Sequence, residues 1–369
     1  MGRRKDGSRI GFAIRIELIL LLALGCVAIG RELTDRWNDS TEQREDSRWA
    51  SDTYEAIEVS AEGDYIKWVD FNVTCEAMAA AYDLDVASYQ EDLHLNWIEL
   101  LAYVAATTGG KFDKNSVKKI NDAAEKLKSG ETTMEEMTKD MKYYDYYLEA
   151  YTAVLGGMVG EFSIKDGEQW NRYYGLKAFS PIAKGFDYSH YDDFGSSRSY
   201  GYSRPHLGHD MMGQIGTPII AIESGYVEAL GWNQYGGWRI GIRSFDGSRY
   251  YYYAHLRQNY PYAEGLEEGS IVTAGDVIGY MGHTGYSTTE NVNNIKTVHL
   301  HWGLQLIFDE SQKEGNNEIW VDCYELTKFL YRNRSEVAKV GETREWRRTH
   351  EMIDPEVEKH CKTDTAMIQ

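Results

Sequence analysis

The 369-residue sequence predicts a multi-domain chain: an N-terminal membrane segment, then an α-helical bundle, then a mainly antiparallel β domain. Three observations carry this. The chain is longer than one typical core, since domains cluster near ~100 to 150 residues. Apolar residues recur at helical spacing up to about residue 162. Beyond residue 199 they fall into short alternating runs bounded by turn residues. The divisions that follow are a cytoplasmic basic start (1–9), a membrane anchor or signal segment (10–29), a stalk (30–62), a helical domain (63–162), a connector (163–198), a β domain (199–335) and a charged tail (336–369).

At the N-terminus, Arg3, Arg4, Lys5 and Arg9 precede an apolar stretch, the basic flank expected of an exported chain that starts inside the membrane. Arg15 and Glu17 interrupt the stretch and leave 18–29 as a clean apolar run, close to the length of a signal-peptide core. Ala23-Leu24-Gly25-Cys26 is similar to a lipoprotein cleavage box, with Ala where Leu is usual. Anchor, cleaved signal and lipidated start all fit, and each puts the folded part outside the membrane. The expectation is a bacterial cell membrane with a single N-terminal anchor and an extracellular C-terminal part. The stalk is rich in Asp, Glu, Arg and Ser without an apolar period, which keeps it solvated.

In the helical domain, Ile66, Val69 and Val73 define one apolar stripe, Ile98, Leu101, Val104 and Ala105 a second, and Val117, Ile120, Ala124 and Leu127 a third. Gly109-Gly110, Ser129-Gly130 and Gly156-Gly157 separate the helices, because glycine permits the left-handed turn that ends one. Glu76, Asp92 and Glu99 are acids of the kind a glycosidase pairs across a sugar bond, but no motif fixes such a pair and solvated helix faces account for them. This domain reads as a spacer, a regulator or a module for a protein partner.

In the β domain the candidate strands are 219–223, 226–230, 238–243, 249–255, 277–281 and 298–307. Asp246-Gly247 between two of them signals a hairpin. The tail carries Arg344, Arg347 and Arg348 and reads as solvated. A net charge of −19 excludes a nucleic-acid groove, which needs a dense basic patch. Cys26, Cys75, Cys323 and Cys361 show no paired spacing, so neither a thiolate metal site nor a disulfide framework is indicated.

The chemistry gathers in three histidine-bearing boxes of the β domain: RPHLGHD with His206 and Asp210, YYAHL with His255, and HLHWGL with His299 and His301. Residues two apart on a strand share a face, so His299 and His301 project side by side. A catalytic zinc takes three protein ligands, imidazoles and a carboxylate among them, and keeps a fourth position for water. His206, Asp210 and one histidine of the pair supply that set. The remaining histidines are suited to proton transfer and to stabilising charge on an attacked carbonyl. The ligand types suit zinc best, although manganese or cobalt can occupy such a set.

These boxes, with AGDVIGYMG and GHTGYST before the last of them, make residues 200–310 resemble the lysostaphin-like, or LytM-type, zinc endopeptidases of bacterial peptidoglycan. The resemblance implies a membrane-associated metalloendopeptidase that binds one zinc per chain and hydrolyses peptide cross-links or stem peptides. It implies His206, Asp210 and His301 as zinc ligands, His299 as general base and His255 as the group that orients water or stabilises the oxyanion. Degenerate relatives act as silent cell-wall or division scaffolds, but these lack ligands, and every matched position is filled here. One departure is the polar insertion 290–296 before the final box, expected to form a loop over one end of the groove. His209 is assigned to support of Asp210 rather than to metal, His283 to a surface turn, and Tyr250 to Tyr253 to alternating core and outward positions.

Overall fold

The computed structural model describes residues 65–199, 203–313 and 317–367. The readings of 1–9, 10–29 and 30–62 lie outside the described residues, among which no helix is long and apolar enough to cross a membrane.

Ile66, Val69 and Val73 predict a helix, yet 65–74 forms neither helix nor strand. Val69, Phe71 and Val73 are buried while Asp70 and Asn72 are exposed, the two-residue period of an extended chain. Helix α1 (Cys75–Ser88) starts where the Thr74 side chain accepts from the Ala77 amide. Helix α2 (Trp97–Thr108) is capped by Asn96, which accepts from Ile98 and Glu99, and ends at Gly109 with φ of 63°. Helices α3 (Ser116–Lys128), α4 (Met134–Thr138) and α5 (Tyr144–Leu155) complete the region. The glycine pairs at 109–110 and 156–157 and Gly130 each follow a helix end as read from the sequence.

A hairpin of β1 (Val159–Asp166) and β2 (Gln169–Leu176) follows, in sequence read as helix end and connector. Most of its residues are exposed or half-buried on both faces, so it lacks the apolar alternation that marks a strand. The larger sheet draws on β3 (Ser189–His190), β6 (His209–Met212), β8 (Gly225–Asn233), β9 (Gly237–Ser244), β10 (Arg249–Ala254), β11 (Ile271–Val272), β13 (His299–Leu306) and β14 (Ile319–Val321). Between these in the chain lie two small pairs, β4 (Ser197–Ser199) with β5 (Ser203–Pro205) and β7 (Pro218–Ile220) with β12 (Val277–Tyr280). The large sheet runs β11-β8-β9-β10-β13-β6-β3, all neighbours antiparallel, with β14 also on β13. Strand β13 is therefore central. Its Leu300, Trp302, Leu304 and Leu306 are fully buried in the core, which turns His299 and His301 to the other face.

Residues 65–369 form one compact unit. After β14, helix α6 (Tyr324–Leu330) packs onto the helical region: Phe329 stacks on Trp97 at 5.7 Å and meets Tyr82 edge-on at 5.8 Å. A second tie is Arg249, fully buried, which donates to Glu223 at 2.8 and 3.1 Å and to the Ala153 carbonyl of α5 at 3.0 Å. The charged tail is not all solvated. It forms β15 (Val337–Lys339), β16 (Trp346–Arg348), β17 (Met352–Ile353), which pairs with β1, and α7 (Pro355–Met367). Asp354 is buried there against Lys177 at 2.9 Å and Ser224 at 2.7 Å, contacts too distant in sequence for any local pattern to signal.

Candidate metal centre and groove

Antiparallel pairing sets His301 on β13 directly opposite Asp210 on β6. His206 arrives from the turn after β5, and the chain then passes the His301 ring at Gly208. A Cβ at Gly208 would lie 2.5 Å from that ring, so only glycine allows the approach. The outcome is a tight triangle: Nε2 of His206 to Oδ1 of Asp210 at 3.1 Å, Nδ1 of His301 to the same oxygen at 2.9 Å, and the two nitrogens 3.0 Å apart.

Nδ1 of His206 faces the Asp193 carbonyl at 3.3 Å and its carboxylate at 3.2 Å, so this nitrogen carries the proton and Nε2 offers a lone pair inward. Two imidazole nitrogens and a carboxylate oxygen thus converge where at most one proton fits between them. That arrangement suits a cation, and the donor types are those of zinc. The electrostatics show what such a cation would displace, namely a proton. Burial disfavours a charged His206 ring, but the Asp193 and Asp210 carboxylates outweigh it and raise its pKa to about 9. Burial also opposes the Asp210 charge, yet the imidazoles hold its carboxyl well below the usual range. Arg198 steadies the outside of the cluster, donating to Asp210 Oδ2 at 3.1 Å and to Asp193. Sequence reasoning missed Asp193 and Arg198, because both lie in the segment read as connector and no motif marks them.

His255 follows β10 in the left-handed region, with φ of 62°, unusual for a residue with a side chain. Its amide donates to Gly236 at 2.7 Å and its Nδ1 faces the Thr284 carbonyl at 3.0 Å. Burial and the neighbouring His299 and His301 keep its ring neutral. Nδ1 of His299 faces the Thr297 carbonyl at 2.9 Å, and its Nε2 is 3.7 Å from Asp210 Oδ1. The His255 and His299 rings stand 4.7 Å apart. In both, Nδ1–H donates to the carbonyl, which leaves Nε2 as the acceptor.

All five residues open on one groove of 1280 Å³. Tyr250 and Tyr252 line it, while Tyr251 and Tyr253 are buried behind the sheet. Residues 294–296 of the insertion and Thr297 after it form part of its wall. The insertion is pinned: Asn291 accepts from the Trp238 indole at 2.9 Å and from the Asn259 amide at 2.8 Å. His283 is half-buried rather than superficial, its Nδ1 2.7 Å from the Ile295 carbonyl, and so braces the same loop. His209 does not support Asp210. It is buried on the opposite face, 2.7 Å from His190, because adjacent strand residues point apart, and burial with His190 lowers its pKa to about 3.

Residues 204–315 match the model of Peptidase family M23. This segment is a family M23 peptidase domain. An L-Ala–D-Glu endopeptidase of Bacillus subtilis is 35% identical over 161 residues, 44% of this chain and 47% of that protein. Lysostaphin of Staphylococcus staphylolyticus is 39% identical over 89 residues, 24% of this chain and 18% of that protein. The chain thus spans about half the length of the first relative and about a fifth of the second. Among solved structures, lytM from Ruminococcus gnavus is 25% identical with a TM-score of 0.49, covering 73% of this chain and 91% of that one. The M23 match contains every one of the boxes from which the resemblance was read.

Proposed function

We propose that this protein is a membrane-associated zinc metalloendopeptidase that hydrolyses peptide cross-links or stem peptides of bacterial peptidoglycan. The observation that carries the reading is the triangle of His206, Asp210 and His301 on a groove beside two histidines with inward acceptor nitrogens. His206, Asp210 and His301 would hold the ion. A zinc ion in that set supplies Lewis-acid activation of water and polarises the peptide carbonyl. Asp193 fixes the His206 ring so that Nε2 points inward, and the Arg198 contact leaves Asp210 Oδ1 free for the ion.

His299 is the general base. Its Nδ1 proton is engaged by Thr297, so Nε2 receives the proton given up by the attacking water and passes it to the leaving amine. His255, held neutral and oriented by Thr284, accepts a hydrogen bond from that water and aims it at the carbonyl. The Bacillus subtilis relative is named for the L-Ala–D-Glu bond, which places stem peptides among the substrates to try first. The basic start and apolar stretch support an N-terminal anchor with the peptidase outside the cell membrane, and the helical region is offered as a module for a protein partner.

The test is to purify the chain, measure its metal and incubate it with purified peptidoglycan with and without a chelator. Zinc near one per chain with chelator-sensitive release of peptide fragments is expected. Zinc without cleavage of several wall types would sink the enzyme reading in favour of a scaffold.

A further inference from the structure

We infer that the groove carries a carboxylate-binding subsite built on Arg204 and Arg239, so that the substrate is an acidic peptide with a free carboxylate close to the bond broken. This rests on the peptidase reading above. Arg204 sits in the groove wall with its guanidinium carbon 5.4 Å from the centre of the Tyr235 ring and 5.7 Å from that of Tyr286. Its Nη2 donates to the Tyr286 hydroxyl at 2.8 Å. A guanidinium has five N–H donors, and among the described residues this is the one hydrogen bond the Arg204 guanidinium makes, with no carboxylate in an ion pair with it. Flanked by two rings and tied to a hydroxyl, it is preorganised for a planar anion.

Arg239 lines the same groove, and its Nε is buried without a hydrogen-bond partner. Among the described residues the protein thus supplies no counter-charge to the Arg239 guanidinium, whose outer nitrogens are the ones a ligand in the groove can meet. The register places it well. Ala254 faces His301 across one strand pair, and Tyr253 faces Ile240 across the next, so Arg239 lies two strands from the metal set on the same face, about 10 Å away at strand spacing. Lys296 of the insertion also lines the groove, and the two remaining cations differ. Arg198 is neutralised by Asp193 and Asp210, and Lys313 by Glu228.

The Arg204 position is also coupled to the reacting end of the groove. Tyr286 is held at φ of 47°, a left-handed conformation that a side-chain-bearing residue rarely adopts, and its ring is 5.8 Å from that of His255. Asn294 of the insertion donates to the Tyr286 carbonyl at 2.6 Å, so the insertion holds the tyrosine that holds the arginine. A carboxylate one residue from the broken bond advances by less than about 4 Å, and the long arginine side chains span the rest of the way to it.

The experiment uses the full chain and two synthetic stem peptides that differ only in whether the D-glutamyl α-carboxylate is free or amidated. Cleavage is followed by chromatography and binding by calorimetry. Wild type is expected to favour the free acid by about ten- to a hundredfold in kcat/KM and in affinity, the worth of charge-assisted hydrogen bonds. In Arg204→Gln with Arg239→Gln the acid-to-amide ratio falls to about one, while Arg204→Lys alone keeps part of it. Equal handling of the two peptides by wild type, or a ratio unchanged in the double variant, overturns the subsite and leaves the peptidase standing. A tenfold binding preference for the acid with neither peptide cleaved supports the subsite while the peptidase reading fails. Circular dichroism of the variants separates loss of preference from loss of fold.

Discussion

The two faces of the large sheet each carry a polar cluster, and they are balanced in opposite ways. On the core face, Arg249 meets Glu223 through two hydrogen bonds, Tyr251 donates to the same carboxylate at 2.6 Å, and the Ala153 carbonyl takes another arginine proton. There donors and acceptors match, and the cluster is complete as it stands. On the groove face, Nε2 of His206, Oδ1 of Asp210 and Nδ1 of His301 stand 2.9 to 3.1 Å apart, and the Asp193 and Asp210 carboxylates draw a proton onto His206 at the place a cation would take. Buried polar groups that satisfy one another hold a fold together, whereas a set joined by one exchangeable proton is one that a cation can take over. The contrast separates structural from functional polarity without reference to any motif.

The largest expected effect lies on the groove face. His301→Ala removes a member of the triangle and is expected to bring bound zinc to background by elemental analysis, with the fold retained. His299→Ala is expected to keep the metal and lower kcat by about 10² to 10⁴, the usual worth of a positioned base. Zinc at full occupancy in His301→Ala would break the comparison, because the groove cluster would then not need all three acceptors.

On the core face the effect should be on stability instead. Glu223→Ala leaves the Arg249 charge buried without its main partner, which costs about 3 to 5 kcal/mol. Denaturant unfolding should register that loss, and the molecules that remain folded should still bind zinc. A variant as stable as wild type would mean that Asp246, also paired with Arg249 at 2.6 Å, carries the charge alone.

Much of this was legible in the sequence. His206, Asp210, His255, His299 and His301 can be picked out because each box is a short local pattern and the boxes in order resemble a known family, and the six candidate strands overlap observed ones because strand periodicity acts over a few residues. What escaped depends on contacts between remote positions. Asp193 reaches His206 from a segment without apolar pattern, and Asp354 is buried only because Lys177 and Ser224 come to it. The stretch at 65–74 was misread because three apolar residues fit a helical stripe once Phe71 is overlooked. His209 was misplaced by adjacency: being next to Asp210 on a strand puts it on the other face.

Asp322 sharpens the comparison from a third direction, since its counter-charge is a proton. It precedes α6, where its Oδ1 accepts from the Tyr324 amide at 2.9 Å. Burial pushes its pKa up to about 6, that hydrogen bond pulls against the shift, and Asp192, Glu325 and Asp193 nearby add to it. The folded state therefore binds the proton more tightly than the unfolded chain, whose aspartate titrates near 3.8. Its contribution to stability is fully present below about pH 4 and is lost as pH rises through about 6, so at pH 7.5 the bare carboxylate is a net cost. Asp322→Asn keeps an acceptor oxygen for Tyr324 and removes the charge. It should raise stability at pH 7.5 by about 1 to 3 kcal/mol, discounted for partial exposure, and make no difference at pH 4. Urea unfolding at the two pH values measures this. A gain of equal size at both would show that packing rather than charge is relieved, and the proton would lose its place beside arginine and metal as a way of balancing a buried acid.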